Sequence, residues 1–195
     1  MSHINTPIDL CNAALNQLGA GVIQSFQEQN KLAITASLHY NRARLSMLRD
    51  NPWSFALKRT TLATISNPGL PPQAAIDYPY VYALPSDLIL LWRVENDGNY
   101  RKEGERLYSH FDTCEIVYTA DVEDPALFDP KFEDALVARL CYEMAYAVTR
   151  DMNVRNQNYS FYQDKMQDAK YSNAIEDIED QLDFDNQAFL QVRYR

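Results

Sequence analysis

Leu48-Arg49-Asp50-Asn51-Pro52-Trp53-Ser54-Phe55-Ala56-Leu57-Lys58-Arg59-Thr60-Thr61-Leu62-Ala63-Thr64-Ile65 is where the chain changes its period. Upstream, apolar residues recur at helical spacing; downstream, Lys58 to Ile65 is rich in Thr and Ile and reads as extended chain. Pro52 biases Asn51 away from the helical region, so the break falls at the dipeptide. Trp53 to Ala56 fits either a short helical turn or the start of the strand.

On the upstream side two helices are expected. Thr6 can cap the first, with Pro7 at its first position and Asp9 three residues after the cap. Ile8, Cys11, Leu15 and Leu18 then follow the helical period and Gly19 is a good terminator, with Gly21 extending the break. Asn30 caps a second helix reaching about Arg49. One face carries Ile34, Leu38, Leu45 and Leu48 and another Ala33, Tyr40 and Met47, a pattern that predicts packing on two sides.

On the downstream side the signals are those of short antiparallel strands. Residues 67–79, with four prolines and Gly69, read as a loop. Tyr80 to Leu84 alternates, and Leu88 to Val94 is a second strand ended by the turn signal Asn96-Asp97-Gly98-Asn99. Tyr100 to Tyr108, bent at Glu103-Gly104, reads as a hairpin, and Glu115 to Thr119 completes a small antiparallel sheet. Asp129-Pro130 then opens a helix with Phe132, Leu136, Leu140, Met144 and Val148 every four residues. A last helix is expected from about Asn156 to Asp180. The expected fold is therefore α+β and mainly α: a helical bundle of two N-terminal and two long C-terminal helices with a small antiparallel β insert. The expected domain spans residues 1–182, with a helical frame at 6–50 and 129–182, a β insert at about 53–120, and a tail at 183–195.

The 195 residues carry 18 basic and 27 acidic side chains, a net charge of −9, which argues against a protein that grips nucleic acid through a dense basic surface. Residues 1–50 carry 4 basic and 3 acidic side chains, residues 51–129 carry 6 and 12, and residues 130–195 carry 8 and 12, so the negative charge is concentrated beyond the first two helices. No apolar run approaches the length of a spanning helix, and Met1 to Asp9 lacks the pattern of a signal peptide. Cys11, Cys114 and Cys141 are odd in number and widely spaced, which fits neither a disulfide framework nor a zinc site and suits a reducing compartment.

Catalytic chemistry is not signalled. His3, His39 and His110 are the only histidines, and Cys11 and Cys141 fall on apolar helix stripes where burial makes a thiol inert. The acidic groups Asp121, Glu123, Asp124 and Glu176, Asp177, Glu179, Asp180 lack calcium-loop spacing and read as solvated faces. Arg42, Arg44 and Arg49 read as surface ion-pairing residues of one helix. The expectation is no catalytic, cofactor or metal site. Thirteen tyrosines, eight phenylalanines and two tryptophans fit either interfaces or a tyrosine-rich core. In the tail, Phe189, Leu190, Val192 and Tyr194 alternate with Gln191, Arg193 and Arg195, the pattern of an extended strand that docks on a partner or on the chain itself.

Four motifs in order carry a resemblance. Ala14-Leu15-Asn16-Gln17-Leu18-Gly19, with Tyr40, Arg42, Arg44 and Leu48 after it, is the first, and Asn51 to Ala56 followed by Lys58-Arg59 is the most specific. Tyr82-Ala83-Leu84-Pro85-Ser86-Asp87 and then Tyr118-Thr119-Ala120 with Phe128-Asp129-Pro130 and Phe132 complete the set. Over about residues 8 to 180 the chain resembles the phage head-to-tail connector family, the tail tubular protein A-like portal adaptors of short-tailed phages. The resemblance implies a structural virion protein of the tail or neck, present in the host cytoplasm during assembly. It implies a ring homo-oligomer, usually a dodecamer, that attaches to the portal protein, extends the channel for genomic DNA and carries the tail nozzle or fibre proteins. DNA would pass without sequence-specific binding, and a negative lumen would repel phosphate. In that family the C-terminal segment reaches the portal, which makes Phe189, Leu190, Val192 and Tyr194 candidate portal anchors. The alternatives are a tail-tube or tail-completion protein of a related phage type and, less favoured, a virion-associated polysaccharide hydrolase with carboxylates among Glu103, Glu105, Asp121 and Glu123.

Overall fold

The computed structural model describes residues 6–65, 78–95 and 100–192, and of 177–192 the backbone alone. Residues 67–77 of the loop expected at 67–79 and the turn at 96–99 lie outside the described residues, as does His3. The chain divides into two compact units, one made of residues 1–47 with 122–195 and the other of residues 48–121.

The first unit is helical. Thr6 and Asp9 form a reciprocal capping box on α1 (Pro7–Gln17), the Thr6 hydroxyl accepting from the Asp9 N–H at 3.2 Å and the Asp9 carboxylate from the Thr6 N–H at 2.9 Å. Gly19, at φ 71°, ends it. Helix α2 (Lys31–Asp50) opens on Asn30, whose side-chain oxygen accepts from the Ala33 N–H at 2.8 Å. Helix α3 (Pro130–Thr149) starts on Asp129, which caps both Lys131 and Phe132, and ends on Arg150 in the left-handed region at φ 61°. After that turn comes α4 (Met152–Val192), which packs extensively on α3, while α1 also packs on α3. The core of the unit draws on Leu10, Cys11, Ala14 and Leu15 of α1, Ala33, Ala36, Tyr40 and Ala43 of α2, and Phe132, Leu136, Leu140 and Met144 of α3.

In the second unit, Ser54–Ala56 forms a single 3-10 turn leading directly into β1 (Leu57–Thr61). The other strands are β2 (Tyr80–Ala83), β3 (Leu88–Val94), β4 (Tyr100–Glu103), β5 (Arg106–Ser109) and β6 (Glu115–Ala120). They form two three-stranded antiparallel sheets, in the orders β1-β6-β3 and β2-β5-β4. A bridge between Thr64 and Tyr82 joins the chain leaving β1 to the edge of the second sheet. The β4–β5 hairpin turns on Gly104, at φ 57°, a conformation open to glycine.

This architecture corrects three expectations. The fold is α+β, but the strands are more than a small insert in a helical bundle: two sheets enclose their own core of Leu62, Tyr82, Val94, Leu107, Cys114, Ile116, Tyr118 and Ala120. Alternation locates strands one at a time and says little about which strands pair, so a central β6 between β1 and β3 was not visible in it. The two-sided packing expected of α2 is met only at Leu48, which is buried, because the rest of that face, Ile34, Leu38 and Leu45, is 53%, 70% and 37% exposed. Finally, the extended strand expected within 183–195 is instead helical backbone of α4 through Val192.

Candidate interaction site

Helix α2 presents two faces with different environments. Ala33, Ala36, Tyr40 and Ala43 face the core, and the small side chains allow neighbouring groups to approach closely. Thr35 is buried too, with its hydroxyl donating to the Lys31 carbonyl at 2.8 Å. On the other side Ile34, Leu38 and Leu45 lie at i, i+4 and i+11, which places them within about 40° of one another around the helix. Three branched aliphatic side chains in one exposed stripe are an unusual cluster for a helix that also carries Lys31, Arg42 and Arg49.

The three arginines read as a surface set do different things. Arg44 is buried and its guanidinium donates to the Val122 carbonyl at 2.6 Å. Arg49 donates to the Ile89 carbonyl at 3.1 Å. Arg42 is exposed, on the rim of a cleft of about 230 Å³ that it shares with His39, Tyr142, Glu143 and Arg155. In this cleft the Glu143 carboxylate is held at 3.1 Å by His39 Nδ1 and at 2.9 Å by Arg139 Nε. Arg139 also donates to the Ser46 hydroxyl at 3.0 Å. Arg155 donates to the Tyr142 hydroxyl at 2.7 Å, with its guanidinium carbon 4.7 Å from the centre of a Tyr142 ring. Tyr142 in turn lies 4.9 Å from Tyr159 and stacks on Tyr162 at 6.5 Å.

The groups considered for catalysis lie on different elements, and several of them are engaged by neighbours. Burial pushes the Cys11 and Cys141 thiols up to about 12, so neither is a thiolate near neutral pH. The Cys114 thiol is raised by burial as well. His39 is engaged with Glu143, and His110 lies 5.0 Å from the Tyr78 ring. Glu103 pairs with Arg101 at 2.6 Å. Among the described residues no three His, Cys, Asp or Glu side chains converge as metal ligands, and no helix is long and apolar enough to cross a membrane.

Of the expected anchors, Phe189, Leu190 and Val192 fall on helical backbone of α4, and Tyr194 lies outside the described residues. The cleft was not foreseen. Its members come from three helices, with His39 and Glu143 far apart in the chain, and only contact across the bundle brings them together. The exposed stripe was visible in the sequence as an apolar face, but the periodicity did not distinguish it from a core face. The chain matches no protein-family model and no curated protein.

Proposed function

We propose that the chain is a structural adaptor of a phage virion, a ring-forming protein that seats on the portal, extends the DNA channel and offers a platform for tail proteins. The observation that carries the reading is the exposed Ile34, Leu38 and Leu45 stripe on α2, since so much aliphatic surface in water is unfavourable unless another surface covers it. The ordered motifs from Ala14 to Phe132 supply the choice of family. The proposal assigns the chain no catalysis and no resident cofactor or metal. It places the protein in the tail or neck of the virion, with the portal, the tail nozzle or fibres and further copies of itself as partners.

Mixing the purified protein with its cognate portal and imaging the product by electron microscopy tests this. A ring on the portal is expected, and its absence overturns the reading. Two variants refine the test. Ile34→Asp/Leu38→Asp should retain the wild-type thermal midpoint, because both side chains are exposed, and fail to form the ring. A chain ending at Leu182 should stay folded and lose portal attachment, and undiminished attachment would remove the tail from the docking surface.

A further inference from the structure

The chain is acidic overall, yet the cleft between α2, α3 and α4 presents positive charge. Glu143 is its one carboxylate, and that group is already engaged by Arg139 and His39. Arg42 and Arg155 have no carboxylate partner among the described residues. The Arg155 guanidinium is fixed in place by the Tyr142 ring and hydroxyl. A guanidinium covered by an aromatic ring on one side, with a second beside it in a concave surface, is suited to receive carboxylates through forked hydrogen bonds.

A complementary segment exists in the same sequence. Residues 176–185 contain Glu176, Asp177, Glu179, Asp180, Asp183 and Asp185 and no basic residue. This block sits on α4, the helix that also carries Arg155. From Arg155 to Glu176 the helix rises about 30 Å, so a continuous α4 holds the block away from the cleft of its own chain.

We infer that the Arg42–Arg155 cleft is an acceptor for the acidic block of a second copy of this chain. The contact deepens the ring reading by naming one attachment between neighbouring copies, and it rests on that reading only in requiring that copies meet. Arg42 and Arg155 bind the incoming carboxylates, Tyr142 keeps Arg155 aimed into the cleft, and His39 and Arg139 keep Glu143 from competing for the two arginines.

A fluorescent peptide of residues 174–187 tests the contact. It is titrated with full-length protein whose own block is neutralised (Glu176→Gln, Asp177→Asn, Glu179→Gln, Asp180→Asn, Asp183→Asn, Asp185→Asn), so that the protein cannot compete with the probe. At about 50 mM salt, saturable binding is expected, weakened at least about tenfold by Arg42→Ala/Arg155→Ala on the same background and lost in about 0.5 M salt. Arg42 is exposed, so Arg42→Ala alone keeps the test decisive if loss of Arg155 disturbs the helix packing. No saturation up to about 1 mM protein, or equal binding with and without the arginines, overturns the inference. Displacement by inorganic phosphate as readily as by unlabelled peptide reduces the cleft to a general anion site and overturns the assignment to a second copy. The portal is absent from every arm, so failure here and failure of the adaptor reading are separate results.

Discussion

Tyr40 in the helical unit and Tyr82 in the β unit are both buried, but their hydroxyls have different fates. Tyr82 donates to the Phe111 carbonyl at 2.6 Å, whereas the Tyr40 hydroxyl has no hydrogen-bond partner among the described residues. Burial pushes the Tyr40 hydroxyl up to about 12, with Arg44 opposing the shift only in part. The pair differs in what surrounds each hydroxyl, although both units hold buried and exposed tyrosines. In the sheets Tyr82, Tyr108 and Tyr118 are core residues while Tyr80 and Tyr100 are exposed, and Tyr118 finds the Asp87 carboxylate at 3.1 Å. In the helices Tyr146, Tyr159 and Tyr171 are exposed, and Tyr40 and Phe132 sit in a core otherwise built mainly of alanine, leucine and methionine. A sheet core is thin enough for a ring to be buried while its hydroxyl reaches a backbone or carboxylate at the rim. A helix pair closes on small residues and leaves a central hydroxyl with fewer exits. Tyrosine content alone therefore did not distinguish interface from core, because this chain uses both.

The largest effect should come from removing the Tyr82 ring. Tyr82→Ala is expected to destabilise the β unit by about 3–5 kcal/mol, read as a drop in the denaturation midpoint. A loss under about 1 kcal/mol would show that the ring is not part of the core. The sharper comparison uses phenylalanine. Tyr82→Phe strands the Phe111 carbonyl and should cost about 1 kcal/mol, while Tyr40→Phe removes an unbonded hydroxyl and should be neutral or slightly stabilising. Equal losses in matched chemical denaturations would erase the difference between the units.

The smallest effect is a pH dependence at Asp87. Burial raises its pKa, but hydrogen bonds from Lys58, at 2.7 Å, and Tyr118, together with the Lys58 charge, outweigh burial and leave it below the ordinary carboxylate value. A folded-state value below the unfolded one contributes stability above about pH 4, and that contribution is lost as the pH falls through the folded value. The stability gap between wild type and Asp87→Asn should therefore be open at pH 6 and narrow below about pH 4 in pH-resolved melts. A gap of constant size would remove Asp87 from the acid response.

Local signals were legible and non-local ones were not. Thr6-Pro7 with Asp9, Asn30, and Asp129-Pro130 each announce a helix start because capping chemistry is complete within four residues. The β4–β5 hairpin was equally visible, since Gly104 is the turn residue and the strands flank it. By contrast, the side of α2 that meets the core is decided by partners distant in the chain, and two apolar faces of similar strength left that open. The alternation of Phe189, Leu190 and Val192 was too short to outweigh helix propagation from α4. The cleft joins residues of three helices, so no window of sequence contains it.

Helix α4 runs for 41 residues, about 60 Å, against 20 residues, about 30 Å, for its partner α3. The two are joined through Arg150 and Asp151 alone, with Arg150 in its left-handed conformation. Mechanically the part of α4 that outruns α3, about 30 Å, is a lever: a tilt of one degree where α3 leaves it moves the far end by about 0.5 Å. A tilt of one degree there is thus magnified into a displacement comparable to the tolerance of a hydrogen bond at the tip.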